Sequence, residues 1–178
     1  MVDKRIAKTK EHLKNALVKL LEKKSLDDIS IVELTTLANI NRKTFYLHYK
    51  QVPLVYKEIK DDLLDKLSKV IYKYDLSIEN LETFIIDFVK VVMEDKFAFH
   101  ILRYTPYAFN VAEAIVVLGI ELLAKKHQQN NTTKSTFTIE FYVYGGVRLL
   151  YQWIKTSNTL DINVFANKLS KLIIDGIK

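Results

Sequence analysis

An all-α protein is predicted: a three-helix N-terminal head followed by a C-terminal helical bundle, about nine helices in all, paired as a dimer. Two prolines and four glycines leave 178 residues with little punctuation. The apolar residues recur mostly every three or four positions instead of alternating. No segment carries the pattern of a strand.

Leu13, Ala16, Leu17, Leu20 and Leu21 share one face of a first helix over about 4–24, whose opposite face is basic. Ser30-Ile-Val-Glu33 is a capping box, with the Ser hydroxyl accepting from the amide three residues on and the Glu returning to the Ser amide. It starts a short second helix, buried through Ile31, Leu34 and either Leu37 or Ala38. Asn39 then stands where a tight turn wants a positive φ, which Asn tolerates better than most residues. Asn41 is an N-cap for a third helix from Arg42 to about Lys50, and Pro53 suits the first position of a fourth that runs to about Tyr74. Further helices are expected near 78–94, 96–104, 107–127, 136–156 and 161–177, with a polar, aperiodic loop over Gln128–Ser135. The natural division is residues 1–52 and residues 53–178.

The net charge of +6 is unevenly placed: residues 1–50 hold eleven Lys/Arg against six Asp/Glu, a net +5. A concentrated positive end is the footprint of a polyanion binder, although a solvated Lys-rich helix face gives the same signal. With no cysteine, disulfides, thiolate chemistry and Cys-based zinc sites are excluded. The four histidines, 12, 48, 100 and 127, are isolated, and no Gly-rich phosphate loop or nucleophile motif is present. Neither enzymatic activity nor a metal or other cofactor is therefore expected. Lys14 and Lys19 interrupt the apolar stretch Leu13–Leu21, so it is not a signal sequence, and Val111–Ala124 contains Glu113 and Glu121 and is too short to span a bilayer. A soluble, cytoplasmic protein with no membrane partner is expected.

Two short helices packed on a longer one make the tri-helical unit that lays its last helix in a DNA major groove. At about 100° per residue, Phe45 and Tyr49 point together into the core, which turns Lys43, Thr44 and Leu47 outward. Lys reaches guanine O6/N7, and Thr or Leu packs on a thymine methyl. Tyr46, His48, Lys50 and the Ser30 cap are better matched to phosphate oxygens, and Asn41 stands at the start of the same helix.

The run from Ile31 to Tyr49, above all its Thr44-Phe-Tyr-Leu-His-Tyr49 end, resembles the helix-turn-helix of the tetracycline-repressor (TetR/AcrR) family over roughly residues 5–57. The resemblance implies an omega-shaped homodimer with three N-terminal helices on DNA and a divergent body that binds an effector and a second subunit. It puts base-reading positions at Arg42, Lys43 and Thr44, and phosphate-contacting ones at Tyr46, His48 and Lys50. Against the family pattern, Asn39 replaces a turn Gly, Thr35 replaces an Ala where two helices approach, and Val52-Pro53 replaces a Lys-Glu pair.

In the body, Phe97–Phe109 concentrates aromatic rings, which are ordinary core unless a cavity opens between helices. There Phe99, His100, Arg103, Tyr104 and Tyr107 are the candidate contacts for a small-molecule effector, with His100 and Arg103 able to orient it. The helix at 136–156 is apolar nearly all round and carries adjacent glycines, so it needs burial on both sides and a close helix neighbour. Phe141, Gly145, Gly146, Leu149 and Trp153, with Phe165, Leu169, Leu172 and Ile173 of the last helix, form the expected homodimer interface. The leading expectation is a ligand-responsive repressor whose dimer binds a palindromic operator in double-stranded DNA. The alternative keeps the DNA head but gives the body a protein partner, as a co-activator or architectural protein. Asn41–Tyr46 resembles the dihydroxyacetone-kinase operon activators of the same family.

Overall fold

The computed structural model describes residues 4–74, 78–129, 136–156 and 161–177. Among them the chain forms nine α-helices: α1 (Lys4–Leu21), α2 (Ile31–Ala38), α3 (Arg42–Tyr46), α4 (Val52–Lys73), α5 (Leu81–Glu94), α6 (Lys96–Tyr104), α7 (Ala108–Gln129), α8 (Thr136–Lys155) and α9 (Ile162–Ile177). The first helix ends earlier than expected because the chain turns through residues 22–25 into a short 3-10 segment, Leu26–Asp28. A second 3-10 turn, Ile78–Asn80, leads into α5. The first two residues of the expected Gln128–Ser135 loop continue α7, and the rest lies outside the described residues.

The local signals around α2 and α3 act as their chemistry dictates. The Ser30 hydroxyl accepts from the Glu33 amide at 3.1 Å while the Glu33 carboxylate accepts from the Ser30 amide at 3.4 Å. Asn39 closes α2 with φ 54° and ψ 46°, and the Asn41 carboxamide oxygen accepts from the Lys43 amide at 2.8 Å. Ala38, not Leu37, takes the inner position on α2, and Leu37 is half exposed. Thr35 fits its buried place by turning its hydroxyl back to the Ile31 carbonyl, 2.7 Å away.

α4 is the spine. Its 22 residues span about 33 Å, and its inner face, Val52, Val55, Tyr56, Ile59, Leu63, Leu67 and Ile71, is buried from end to end. The first four pack in one continuous core with Leu13, Leu17 and Leu21 of α1 and with Phe45, so the head is closed by the same helix that enters the body. Burying each such side chain contributes about 1.5–3 kcal/mol.

α5, α6 and α7 surround the body half of α4, with Ile85, Val89, Ala98, Ile101, Val111 and Ile115 in the core. α8 packs on α7 closely enough that a Cβ added to Gly119 would stand 3.0 Å from Val143 Cγ1. α8 and α9 pair antiparallel: Trp153 stacks on Phe165 at 5.1 Å at one end, and Gly176 lies under the Tyr142 hydroxyl at the other. α9 is tied to α5 where the Asn167 amide donates to Glu82 at 2.9 Å. No helix among the described residues is long and apolar enough to cross a membrane.

Candidate nucleic-acid interface

α3 is held from beneath by Phe45, which has no solvent exposure and whose ring lies 5.8 Å from that of Tyr49. α3 ends at Tyr46, short of the expected Lys50, and residues 47–48 form a turn closed by Tyr49 N donating to the Phe45 carbonyl at 2.9 Å. This single anchor turns the opposite side outward. Arg42, Lys43, Tyr46, Leu47 and Lys50 are exposed, Leu47 to 79%, while Thr44 and His48 are half-buried at its flanks. An exposed Leu between cations is unfavourable in water and suited to a surface that offers both phosphates and methyl groups.

Electrostatics favour the same partner. No Asp or Glu occurs between Leu34 and Lys57. Glu33, at the edge of this stretch, is paired with Lys24, whose hydrogen bond together with that of the Ser30 amide holds its carboxyl below the usual range. Ser30 and Asn41 both spend their oxygens on helix caps and both remain at the surface.

Beneath α3 lies a polar anchor that sequence reasoning, which assigned Tyr49 to the core only as a ring, did not reach. The Tyr49 hydroxyl donates to Glu58 Oε2 at 3.0 Å, and Glu58 also takes Lys10 and Lys14, each at 2.9 Å. Lys14 continues to Asp62 at 2.5 Å. Burial, then the Glu58 charge, push the Tyr49 phenol up, so it keeps its proton and donates. Burial also disfavours the Glu58 charge, but the hydrogen bonds from Lys10 and Lys14 outweigh it and leave that carboxyl below its ordinary range. Burial likewise opposes the Lys14 ammonium, and Asp62 and Glu58 overcome it, so its pKa is raised. The knot joins the turn after α3 to both α1 and α4.

The body candidates separate into two groups that do not converge. His100 Nε2 lies 2.6 Å from Glu22 Oε1, and the Tyr107 hydroxyl accepts from the Leu26 amide at 2.6 Å and contacts Ser25 Oγ at 3.0 Å. Both side chains therefore clasp the head, as does the Lys96 to Glu11 pair. Arg103 donates to the Ile154 carbonyl at 2.6 Å, and Lys155 answers to the Arg103 carbonyl at 2.9 Å, so α6 and α8 cap each other's last turns. Tyr104 is exposed beside His100, and Phe99 packs partly buried against the core. The Tyr107 ring meets that of Tyr56 at 5.8 Å. The Tyr56 hydroxyl is buried with no hydrogen-bond partner among the described residues, and burial pushes its pKa up to about 12.

The nine expected interface residues also divide. Trp153 and Phe165 are buried against each other between α8 and α9, and Leu169 is buried in the protomer's core. Phe141, Gly145, Leu149 and Leu172 are exposed, and Gly146 and Ile173 are partly so. Cβ atoms built on Gly145 and Gly146 meet nothing within 4 Å, so no neighbour among the described residues requires the pair. The exposed stripe also includes Phe137, Tyr144 and Val164, which the sequence pattern did not single out. Among the described residues no cluster of His, Asp and Glu could hold a metal ion.

The sequence matches no protein-family model and no curated protein. Solved structures do resemble it. A TetR transcriptional regulator from Streptococcus agalactiae is 20% identical, with 96% of each chain covered and a TM-score of 0.67. NalD, the secondary repressor of the MexAB-OprM multidrug efflux pump in Pseudomonas aeruginosa, is 15% identical over 96% of each chain, with a TM-score of 0.68. The transcriptional regulator FadR from Bacillus subtilis, solved with stearoyl-CoA, is 14% identical over 94% of this chain and 99% of its own, with a TM-score of 0.62. At these identities the likeness establishes the fold, which is that of TetR-family regulators.

Proposed function

We propose that the protein is a sequence-specific DNA-binding transcriptional regulator, a repressor that grips a palindromic operator as a homodimer and leaves it when the body takes up a small effector. One observation carries the DNA reading: the exposed side of α3 through Lys50 presents cations, hydroxyls and Leu47 with no acid between Leu34 and Lys57, on a backbone fixed by Phe45 and the Glu58 knot. In this reading Arg42, Lys43, Thr44 and Leu47 face base edges, while Ser30, Asn41, Tyr46, His48 and Lys50 face the backbone. The exposed α8–α9 stripe supports pairing of two copies, which sets the two α3 helices about one turn of DNA apart.

Two features support an effector. The fold houses stearoyl-CoA in the Bacillus subtilis regulator, and the partnerless Tyr56 hydroxyl beside Tyr107 is a polar atom that a bound molecule would satisfy. Tyr107 holds the head at Ser25–Leu26, so a ligand that draws Tyr107 aside would free the head to change its spacing, shifting the population away from the operator-competent form.

The test is binding of the full chain to its own upstream DNA across a salt series. A slope of log K against log salt of about −0.9 for each phosphate neutralised is expected, with a preference for one palindrome over random sequence. A flat line overturns the reading.

A further inference from the structure

We infer that Tyr49 is a positioning residue for DNA binding: its hydroxyl, held by Glu58, sets where His48 and Lys50 stand and so governs the affinity for backbone phosphates without touching DNA. The inference rests on the DNA-binding reading above and deepens it by naming what controls one class of its contacts.

Five residues, 47–51, join the end of α3 to the start of α4. The first three are tied back to α3: the Leu47 amide donates to the Lys43 carbonyl at 3.3 Å, and those of His48 and Tyr49 donate to the Phe45 carbonyl at 2.9 Å. The amides of Lys50 and Gln51 make no hydrogen bond among the described residues. With two soft dihedrals each, these two residues form a joint between the helices. Lys50 sits in the joint and His48 just before it. Neither side chain makes a hydrogen bond or ion pair among the described residues, so nothing at their own tips fixes them.

Tyr49 spans the joint. Its ring packs 5.8 Å from that of Phe45, with the Lys10 ammonium 5.5 Å from its centroid. Its hydroxyl donates at 3.0 Å to Glu58, which stands about 9 Å along α4 from Val52. Glu58 does not yield easily, because Lys10 and Lys14 hold it at 2.9 Å each. The chain from Tyr49 to Glu58 is therefore a closed loop whose last bond is the phenol hydrogen bond. Burial of the ring is non-directional, whereas an O–H donor fixes both a distance and an angle. Without the hydroxyl the ring stays in the core, but Lys50 is left on an open joint, and a charge-assisted contact to a phosphate tolerates little displacement. Arg42, Lys43 and Thr44 precede Phe45, whose own complete burial anchors them. The hydroxyl thus bears on phosphates and not on base edges.

The experiment compares wild type with Tyr49→Phe, with the pair His48→Ala and Lys50→Ala, with all three changes together, and with Glu58→Gln. Each is titrated over a salt series with the palindrome that the wild type selects from a random-sequence pool and with random duplex. Circular dichroism and sedimentation fix conditions in which all are folded and equally associated. Tyr49→Phe is expected to weaken both duplexes alike, about tenfold. Its salt slope should be flatter by up to about 0.9 per protomer, with the preference among base pairs unchanged. Added to the alanine pair, the same change should cost less than about twofold, because the groups it positions are gone. Glu58→Gln keeps an acceptor for the hydroxyl and should retain more affinity than Tyr49→Phe. Tyr49→Phe binding as wild type overturns the inference, and so does a tenfold loss that persists on the alanine background, since the hydroxyl then acts on the head as a whole. A Glu58→Gln variant as weak as Tyr49→Phe overturns the assignment of the hold to Glu58. Each of these results leaves the DNA reading intact, whereas a flat wild-type line overturns both.

Discussion

The outer surface of α3 and the outer stripe of α8 both expose large apolar side chains, and the difference between their surroundings supports different partners for the two. Leu47 and Tyr46 stand among Arg42, Lys43 and Lys50, with no acid in the neighbouring sequence. Phe137 and Phe141, exposed to 84% and 72%, continue instead into Tyr144, Gly145 and Leu149, and α9 alongside adds Val164 and Leu172. Isolated apolar groups in a cationic field fit a polyanion that carries methyl groups. A longer apolar stripe, along which Arg148 and Lys168 are also exposed, fits another such stripe, and a second copy of the chain supplies one. Exposure alone does not distinguish the two cases; the extent of adjoining apolar surface does.

Placing acids on the α8 stripe is the strongest way to break the contrast. Phe141→Glu with Leu149→Glu leaves the protomer's own core untouched, since both positions face outward. Sedimentation should show a monomer, and affinity for a palindrome should fall by about 10²–10⁴-fold as the two heads lose their linkage. Binding to random duplex should fall far less. If the double variant remains a dimer, the stripe is not the self-contact.

How much of this was legible from sequence depends on how far apart the interacting residues lie. The Ser30–Glu33 box, the left-handed Asn39 and the Asn41 cap each act over two to four residues, and each formed as its chemistry predicts. α6 spans the range expected for it, 96–104, and the structure shows what sets its start: the Asp95 side chain accepts from the Ala98 amide. The Tyr49–Glu58–Lys14 knot was not legible, because periodicity describes which face a ring takes and says nothing about where its hydroxyl finds a carboxylate. For the same reason Trp153 looked available to a second subunit, when Phe165 of its own chain covers it. His100 and Tyr107 looked like neighbours in one site, but α6 ends between them and their partners on the head differ.

Within the head, the division between base and backbone contacts predicts a smaller and more selective effect. Lys43→Ala should cost about 1–3 kcal/mol at the base pair it reads and little at others, so the profile across single-base variants of the palindrome flattens at one position. Lys50→Ala should weaken every sequence alike and reduce the salt slope by about 0.9 per protomer. Equal, uniform losses for both variants would mean that α3 positions the protein without reading bases.

The smallest expected effect sharpens the comparison from beneath the surface. Glu58 is held below the ordinary value of 4.5: burial works against its charge, and the hydrogen bonds from Lys10 and Lys14 overcome that penalty. A carboxyl whose folded pKa is depressed contributes stability that is present above its unfolded pKa and is lost as the pH falls through the folded one. Glu11, Glu33, Asp87 and Asp161 are depressed as well, so acid destabilises the wild type through several groups and only the difference between variants isolates Glu58. Glu58→Gln keeps an acceptor for the Tyr49 hydroxyl but gives up the charge between the two lysines. It should cost about 1 kcal/mol at pH 7, and that deficit should shrink toward zero as denaturation midpoints are followed into acid, below the ordinary carboxyl range and through the depressed folded value. No such titration should be seen in the monomer–dimer equilibrium, because Glu58 lies on α4 and not on the α8–α9 stripe. A deficit that stays constant across this range would mean that the knot holds Tyr49 by shape and hydrogen bonding, with the charge contributing nothing.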